Sequence, residues 1–201
     1  MKKLIIGFAL FVGLAMTVIT ASAQGTHTVV RGDTMWRIAV RYEVGLSELA
    51  GANPHIKNIA LIYPGQKINI PTKDSSVTAY EREVVRLVNL ERAKVGLSPL
   101  EYDWELARVA RYKSEDMQRL GYFSHTSPIY GSPFQMMKSF GISYRSAGEN
   151  IAKGYSTPAA VVEGWMNSPG HRANILSSSF TRIGVGYVKD GHYWTQMFIF
   201  K

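Results

Sequence analysis

Three side chains that can bind a cation or transfer a proton lie far apart in the chain: His125, Glu149 and His171. Each is embedded in a short run rich in glycine, serine or proline, a composition typical of loops that present functional groups. Two neutral imidazoles can hold Zn²⁺ or another divalent cation and leave positions open for water or substrate, with Glu149 as a ligand or a general base. The alternative is a hydrogen-bonded His-Glu-His cluster that only ties helices to a sheet.

The elements that must position these side chains are predicted from capping residues and periodicity. Residues 183–188 and 193–200 alternate as strands around an Asp190-Gly191 turn, which is a strong hairpin signal. Helices packed on an antiparallel sheet predict an α+β domain. The expected helix starts share a capping side chain, a following proline or an apolar helical period: Tyr80, Asp103, Ser132, Thr157 and Ser168.

The N-terminus predicts export. Lys2 and Lys3 precede an uncharged apolar run, residues 4–19, and Ala21-Ser22-Ala23 provides the small residues that signal peptidase recognises. The apolar run of about sixteen residues is shorter than the roughly 20 that a spanning helix requires. We therefore expect a signal peptide over residues 1–23 and no stable membrane insertion of the mature, secreted chain.

Composition narrows the possible partners. The chain carries a formal charge of +8, and removing residues 1–23 takes away Lys2 and Lys3 but no acid, which leaves 21 basic and 15 acidic residues, or +6. This charge suits an anionic cell wall. The basic residues of the second half are scattered and form no run, so nucleic acid is not an expected partner. There is no cysteine, which excludes disulfides, a thiol nucleophile and thiolate metal ligands.

A polar segment, residues 72–78, lacks an apolar period and is predicted to link a small module, residues 26–71, to a large one, residues 79–201. The small module is predicted to have the order β-α-α-β. Its expected features are a strand from His27, a helix capped by Asp33 or Thr34, a second helix capped by Ser47, and a closing strand over residues 67–71.

The small module resembles a LysM domain over nearly all of residues 27–71. The motifs that carry the resemblance are Gly32-Asp33-Thr34, Asn53-Pro54, Ile62-Tyr63-Pro64-Gly65-Gln66 and Ile70-Pro71. The resemblance implies that N-acetylglucosamine polymers such as peptidoglycan or chitin bind in a shallow groove between the first turn and the loop after the second helix. The implied binding residues are Gly32, Asp33, Thr34, Met35, Asn53, Pro54, His55 and Ile56.

The large module resembles the bacterial, cysteine-free form of the CAP superfamily (cysteine-rich secretory protein, antigen 5, pathogenesis-related 1). The resemblance rests on three runs in this order: Phe123-Ser124-His125, Gly148-Glu149-Asn150 and residues 164–176. It implies an α-β-α sandwich with a cleft lined by two histidines and two acids.

By motif, His125 and Glu149 match the first histidine and the first acid of that cleft. We assign the second histidine to His171 rather than His192, because the family's β-hairpin follows this signature and only His171 precedes a hairpin here. The position of the second acid is Ser168 in this chain. Glu163, five helical positions earlier, is rotated away by roughly 140° and is expected to be a solvated helix residue.

Two functions of different classes remain open. The first is a protein of the bacterial cell wall or spore envelope that binds glycan through LysM and presents a CAP cleft, with a cation shared by His125 and His171 as an optional feature. The second is an extracellular metal-dependent hydrolase that LysM delivers to the same location. Membership of a diverse family defines the fold better than the chemistry.

Overall fold

The computed structural model describes residues 23–201, so the predicted signal peptide lies outside the described residues except for its last position. The small module has the predicted β-α-α-β order. Its elements are β1 (Ala23–Thr28), α1 (Met35–Arg41), α2 (Leu46–Gly51) and β2 (Lys67–Pro71). β1 and β2 pair antiparallel. One apolar cluster, which includes Met35, Ile38, Leu49, Ile68 and Ile70, fills the space between helices and strands.

Two capping predictions for the small module have different outcomes. The Thr34 side chain caps α1 by accepting a hydrogen bond from the amide of Arg37. Of the two predicted caps, Asp33 and Thr34, it is therefore Thr34 that caps the helix. The prediction that Ser47 caps α2 is wrong, because the cap residue is Gly45 and Ser47 lies inside the helix. Ser47 instead donates its hydroxyl to Glu48.

The predicted linker is shorter than residues 72–78. Helix α3 (Ser75–Lys94) begins inside it, and Asp74 caps this helix by accepting the amides of Ser76 and Val77. The sequence prediction missed this first turn because α3 starts with polar residues that show no apolar period. Residues 72–74 alone separate β2 from α3, which leaves little freedom between the modules.

The large module is the predicted α+β domain. Its sheet has the order β3-β5-β6-β4, in which β3 runs parallel to β5 and the other neighbours are antiparallel. After α3 its elements are β3 (Glu101–Tyr102), α4 (Trp104–Leu120), α5 (Pro133–Ser139), β4 (Ser146–Lys153), α6 (Pro158–Met166), α7 (Pro169–Ile175), β5 (Arg182–Val188) and β6 (Tyr193–Phe200).

The sheet lies between two helical layers, which gives the α-β-α sandwich. On one face, Trp194 and Phe198 of β6 pack with residues of α3, α6 and α7. On the other face, Met197 and Ile199 pack with α4 and α5. Alternate residues of one strand thus enter different cores, as the pleat of a strand requires.

Helix α4 lies directly against β5. A Cβ atom added at Gly184 or Gly186 would overlap the backbone of α4 at residues 106–107 and 110–111. These two glycines allow the helix and the sheet to approach more closely than any side chain would permit.

Buried Arg92 joins three segments of the large module. Its guanidinium donates to the carbonyl oxygens of Ser98, Ile175 and Ser177, at distances between 2.7 and 3.0 Å. It therefore fixes α3 to the end of α7 and satisfies carbonyl groups that the end of a helix leaves without partners.

The two modules contact each other through charged side chains. Glu48 of α2 pairs with Arg108 of α4 and accepts the hydroxyl of Tyr112, and Glu43 pairs with Arg82 of α3. Within residues 23–201, no helix has both the length and the apolarity needed to cross a bilayer.

Candidate functional site

His125 and Glu149 are in direct contact. The Nδ1 atom of His125 lies 2.7 Å from Oε1 of Glu149. Glu149 projects from β4 towards the α4 face, since its register partner is Met197. His125 belongs to the loop between α4 and α5. A carboxylate at Nδ1 favours the tautomer that carries a proton there, so Nε2 is available to accept a proton or bind a ligand.

The two partners differ greatly in exposure. The side chain of His125 is 52% exposed and that of Glu149 only 1%. Burial raises the pKa of Glu149, although the hydrogen bond from His125 and the charge of Lys113 oppose this shift. The second oxygen of the carboxyl, Oε2, is buried and has no hydrogen-bond partner among the described residues. A buried acceptor of this kind can receive a hydrogen bond from a ligand or an ordered water.

Buried polar residues of α4 hold the loop that carries His125. Lys113 is fully buried, and its Nζ donates to the carbonyl oxygen of His125 at 2.9 Å and to the hydroxyl of Tyr122 at 3.2 Å. Asp116 accepts the hydroxyls of Tyr122 and Ser127, at 2.6 and 2.7 Å. The position of His125 therefore depends on a network that begins on α4.

Asn150, next to Glu149 on β4, holds the segment of His171. Its side chain points to the opposite face of the strand, donates to the carbonyl oxygen of His171 at 3.1 Å and accepts from Asn174 at 2.8 Å. Neighbouring residues of the Gly-Glu-Asn motif thus contact the two histidine segments separately: Glu149 the imidazole of His125, and Asn150 the backbone at His171.

His171 lies in the first turn of α7, close enough to feel the charge of His125. Burial, and to a lesser degree the charge of His125, lower the pKa of His171. However, no group of three His, Asp or Glu side chains within residues 23–201 is arranged to hold a metal ion. A catalytic zinc ion requires three protein ligands. The described residues therefore do not fit such an ion, and Glu149 instead orients the imidazole of His125.

The other polar residues of the sequence motifs lie outside the His125–Glu149 contact. His192 is at the tip of the β5–β6 hairpin as predicted, but it is half-buried: its ring stacks on Tyr187, and Nδ1 lies 2.8 Å from the hydroxyl of that residue. Glu163 is exposed on α6, as predicted. Ser168 precedes α7 but forms no side-chain cap. Ser124 uses its hydroxyl to accept the amide of Thr126.

The LysM-like residues divide into those that build the module and those that remain accessible. Met35 and Asn53 are buried, so their side chains serve the fold rather than a ligand. Asn53 bonds the backbone of Leu49 and Asn69, and Asp33 accepts His27 and the amide of Val30. The side chains of Met35, Asn53 and Asp33 therefore support the module, and binding of a glycan at these positions stays a prediction. The accessible members are Gly32, Thr34, Pro54, His55 and, in part, Ile56.

The residues that position the site were not found from the sequence. Lys113, Asp116 and Asn150 are buried polar residues, and a polar side chain in a linear sequence is normally expected at the surface. For Lys113 and Asp116, a detectable signal exists. Both lie on the buried side of the strongly periodic helix α4, together with Val109 and Met117. A charged residue at an apolar position of a helix is a reason to look for a buried partner.

The geometry defines a two-domain protein: a βααβ module joined to an α-β-α sandwich that carries a His–Glu pair beside an edge strand. The sequence profile of the Cysteine-rich secretory protein family, abbreviated CAP, matches residues 85–200, and that of the LysM domain matches residues 27–71. The chain belongs to the CAP family and has a LysM domain before its CAP domain.

Similar proteins come from Bacillus. The chain is 61% identical to Uncharacterized protein YkwD of Bacillus subtilis over 137 residues, which are 68% of this chain and 53% of that one. It is 45% identical to Uncharacterized membrane protein YlbC of the same organism over 122 residues, 61% of this chain and 35% of that one. The chain thus spans about half or less of these curated relatives.

A solved structure has the same fold. It is an extracellular protein containing a SCP domain from Bacillus anthracis, with a TM-score of 0.61 and 34% identity. The similarity covers 69% of this chain and 47% of that one.

Proposed function

We propose that this protein is exported and retained at the bacterial cell wall, where its LysM domain binds peptidoglycan or another N-acetylglucosamine polymer. The observation that carries the proposal is the position of the two expected groove walls. Met35, at the start of α1, and Ile56, in the loop after α2, pack against one apolar cluster. The turn at Gly32 and the loop at Pro54 are therefore supported by the same small core.

The turn at one wall of the groove is rigid. Gly32 has a φ of +91°, a conformation that glycine adopts without strain. The Asp33 carboxylate closes the turn by accepting hydrogen bonds from the backbone amide of Val30 and from His27, and these bonds lower the pKa of Asp33. Trp36, the second residue of α1, has an exposed side chain. A preformed turn with an aromatic ring beside it suits a sugar, because the ring can stack while backbone groups bond the acetamido substituent.

Sedimentation with insoluble peptidoglycan tests this function. Residues 24–201 should pellet, whereas residues 73–201 should remain in solution. Trp36→Ala should reduce pelleting, and Phe134→Ala, which removes another exposed aromatic ring, from α5, should not. Equal pelleting of residues 73–201 would show that the CAP domain, and not LysM, attaches the protein.

The extracellular location is supported by the signal-like residues 1–23, by the net positive charge and by the description of the Bacillus anthracis structure as extracellular. A spore envelope is a second such location. In either place the CAP domain would present the exposed imidazole of His125, oriented by Glu149, to wall components. This pair can bind a hydroxyl or amide ligand without a metal, since Nε2 accepts a proton and Oε2 of Glu149 lacks a donor.

The metal-dependent hydrolase remains the competing function. It needs a third ligand beside His125 and His171, and the described residues supply no such group. Calorimetric titration with Zn²⁺ separates the two functions. Micromolar binding that is lost in the double variant His125→Ala, His171→Ala and retained in His192→Ala, together with zinc-dependent release of peptidoglycan fragments, would favour the hydrolase.

A further inference from the structure

A cleft of about 430 Å³ lies between the two domains, away from both the His125–Glu149 pair and the LysM groove. Its walls come from the segment after α1, from residues 71–74, and from α4 and the end of β5. Neither domain alone could form it. The ion pairs between Glu48 and Arg108 and between Glu43 and Arg82 hold the walls in place, so the cleft exists before any ligand arrives.

The backbone at one wall of this cleft turns sharply where α1 ends. Glu43 has a φ of +52°, in the left-handed region that residues other than glycine rarely adopt. It ends α1 in the way that left-handed residues commonly end helices: the amides of Glu43 and Val44 donate to the carbonyl oxygens of Val40 and Ala39. Here it places Glu43 where it reaches both Arg82 and Lys73 across the domain boundary.

Some charged side chains that line the cleft form ion pairs with other residues of the protein, and others do not. Arg108 and Arg111 are committed to Glu48 and Glu81. By contrast, Glu115 of α4 and Lys189, just after β5, form no ion pair with any residue between 23 and 201, although both line the cleft. The walls withdraw the carboxyl of Glu115 from water and raise its pKa, although the residue as a whole is exposed at the mouth.

Between these two charges the lining is apolar. Val44, Val77 and Val188 contribute their methyl groups. Asp74 also lines the cleft without an ion pair, but its Oδ1 accepts the amides of Ser76 and Val77 at the start of α3. A cleft whose anion Glu115 and cation Lys189 form no ion pair, with an apolar lining between them, is complementary to a small molecule that carries an ammonium group, a carboxylate and short aliphatic groups. An N-acetylglucosamine polymer is less complementary to it, because its acetamido groups supply methyl groups but no ammonium group to pair with Glu115.

We infer that this cleft binds a short zwitterionic peptide, whose ammonium group pairs with Glu115 and whose carboxylate pairs with Lys189. Its source would be the alanine-containing peptide branches of peptidoglycan, and this identification of the source rests on the function proposed above. LysM would then bind the glycan strand while the boundary between the domains receives a peptide branch.

The test uses residues 24–201 and a synthetic, sugar-free peptidoglycan stem pentapeptide with free amino and carboxyl groups, titrated by NMR. The methyl signals of Val44, Val77 and Val188 should shift, and those of Ile142, on the far side of α4, should not. Glu115→Gln and Lys189→Gln should each weaken binding about threefold or more, as expected for a partly exposed ion pair. The same peptide with acetylated amino groups should also bind more weakly.

Two matched variants control for charge alone. Glu163→Gln and Lys138→Gln remove one acid and one base from exposed positions on α6 and α5 and should leave the affinity unchanged. Absence of methyl shifts in the cleft, or equal affinity in the Glu115 and Lys189 variants, would overturn the inference. A parallel titration with a chitin oligosaccharide reports on LysM separately, so glycan binding without peptide binding would overturn only the peptide site.

Discussion

Glu48 of the LysM domain accepts hydrogen bonds from both Nε and Nη2 of Arg108 in the CAP domain, at 2.6 and 2.9 Å. The hydroxyl of Tyr112, one turn further along the same helix, donates to the same carboxylate at 2.9 Å. A bidentate pair of this kind fixes orientation as well as distance. The two domains are therefore held in one arrangement by a carboxylate whose charge depends on pH.

Acidification should release the domains from each other. Burial by itself would raise the pKa of Glu48, but the hydrogen bonds from Arg108 and Ser47 outweigh it, so the pKa lies below its ordinary value of 4.5. A depressed pKa means that the contact is at full strength above about pH 4.5 and is lost as the pH falls through the lowered value. Small-angle scattering from pH 7 to 3 should show expansion at the acid end.

The variant Glu48→Gln should already show this expansion at pH 7, because a neutral amide cannot form the charged pair. Glu91→Gln, which removes an acid from an ion pair within α3, is the matched control and should stay compact. If the domains remain docked in Glu48→Gln, then contacts other than the Glu48–Arg108 pair hold them together.

Replacing the buried lysine of α4 should loosen the His125 loop. Lys113→Met fills a similar volume but leaves the carbonyl oxygen of His125 without its donor. A buried group that loses its partner costs about 1–3 kcal/mol, and urea unfolding should show a loss of that size. Lys138→Met, at an exposed position of α5, should change stability by less than about 0.5 kcal/mol. An equal effect of the two substitutions would contradict the positioning role of Lys113.

Removal of His125 should raise the pKa of Glu149 further. Burial already raises this pKa, and the hydrogen bond from His125 is the largest of the opposing effects. Because the folded-state pKa is raised, ionising Glu149 lowers the stability of the fold as the pH rises from about 4.5 through the folded value. His125→Ala should therefore extend and steepen this loss.

Carboxyl NMR titration of Glu149 measures the effect directly. His192→Ala, which removes a histidine that contacts Tyr187 instead, should leave the titration of Glu149 as it is. A pKa of Glu149 that stays the same or falls in His125→Ala would show that their hydrogen bond is not formed in solution.

The contact between α4 and β5 should not tolerate a methyl group. Gly186→Ala places a Cβ atom against the backbone at Ala110 and Arg111, and overpacking of this kind costs about 1–3 kcal/mol or more. Gly170→Ala in α7 meets no atom within 4 Å and should be neutral or stabilising by up to about 1 kcal/mol. Thermal unfolding of the two variants should show shifts of different sign or clearly different size.

The parts of the fold that depend on local signals were predictable. Asp103, Ser132 and Thr157 cap their helices as expected, because a capping side chain bonds amides only two or three residues away. Ser132 also forms a capping box with Gln135. The β5–β6 hairpin was equally accessible, since its alternation and its Asp-Gly turn are contained in about twenty residues.

Strand β4 was not predicted, although it carries Glu149. Its sequence contains a glycine, an acid and an amide, and this composition is typical of a loop. It is a strand because distant partners cover it. β6 pairs with β4 along the whole length of β4. The other edge of β4 is covered, because Trp165 donates to the carbonyl oxygen of Ile151 and Asn174 donates to that of Glu149. These contacts link residues up to about fifty positions apart, which no local pattern records.

The contacts of Arg92 have a consequence for the chemical durability of the protein. A guanidinium that binds three carbonyl oxygens joins segments more than 80 residues apart in the sequence, a task for which many exported proteins use a disulfide. The chain contains no cysteine, so its long-range connections are all noncovalent. Thiol reductants have nothing to cleave in it, and oxidants cannot scramble its connectivity. Its connectivity is therefore independent of the thiol–disulfide conditions around it.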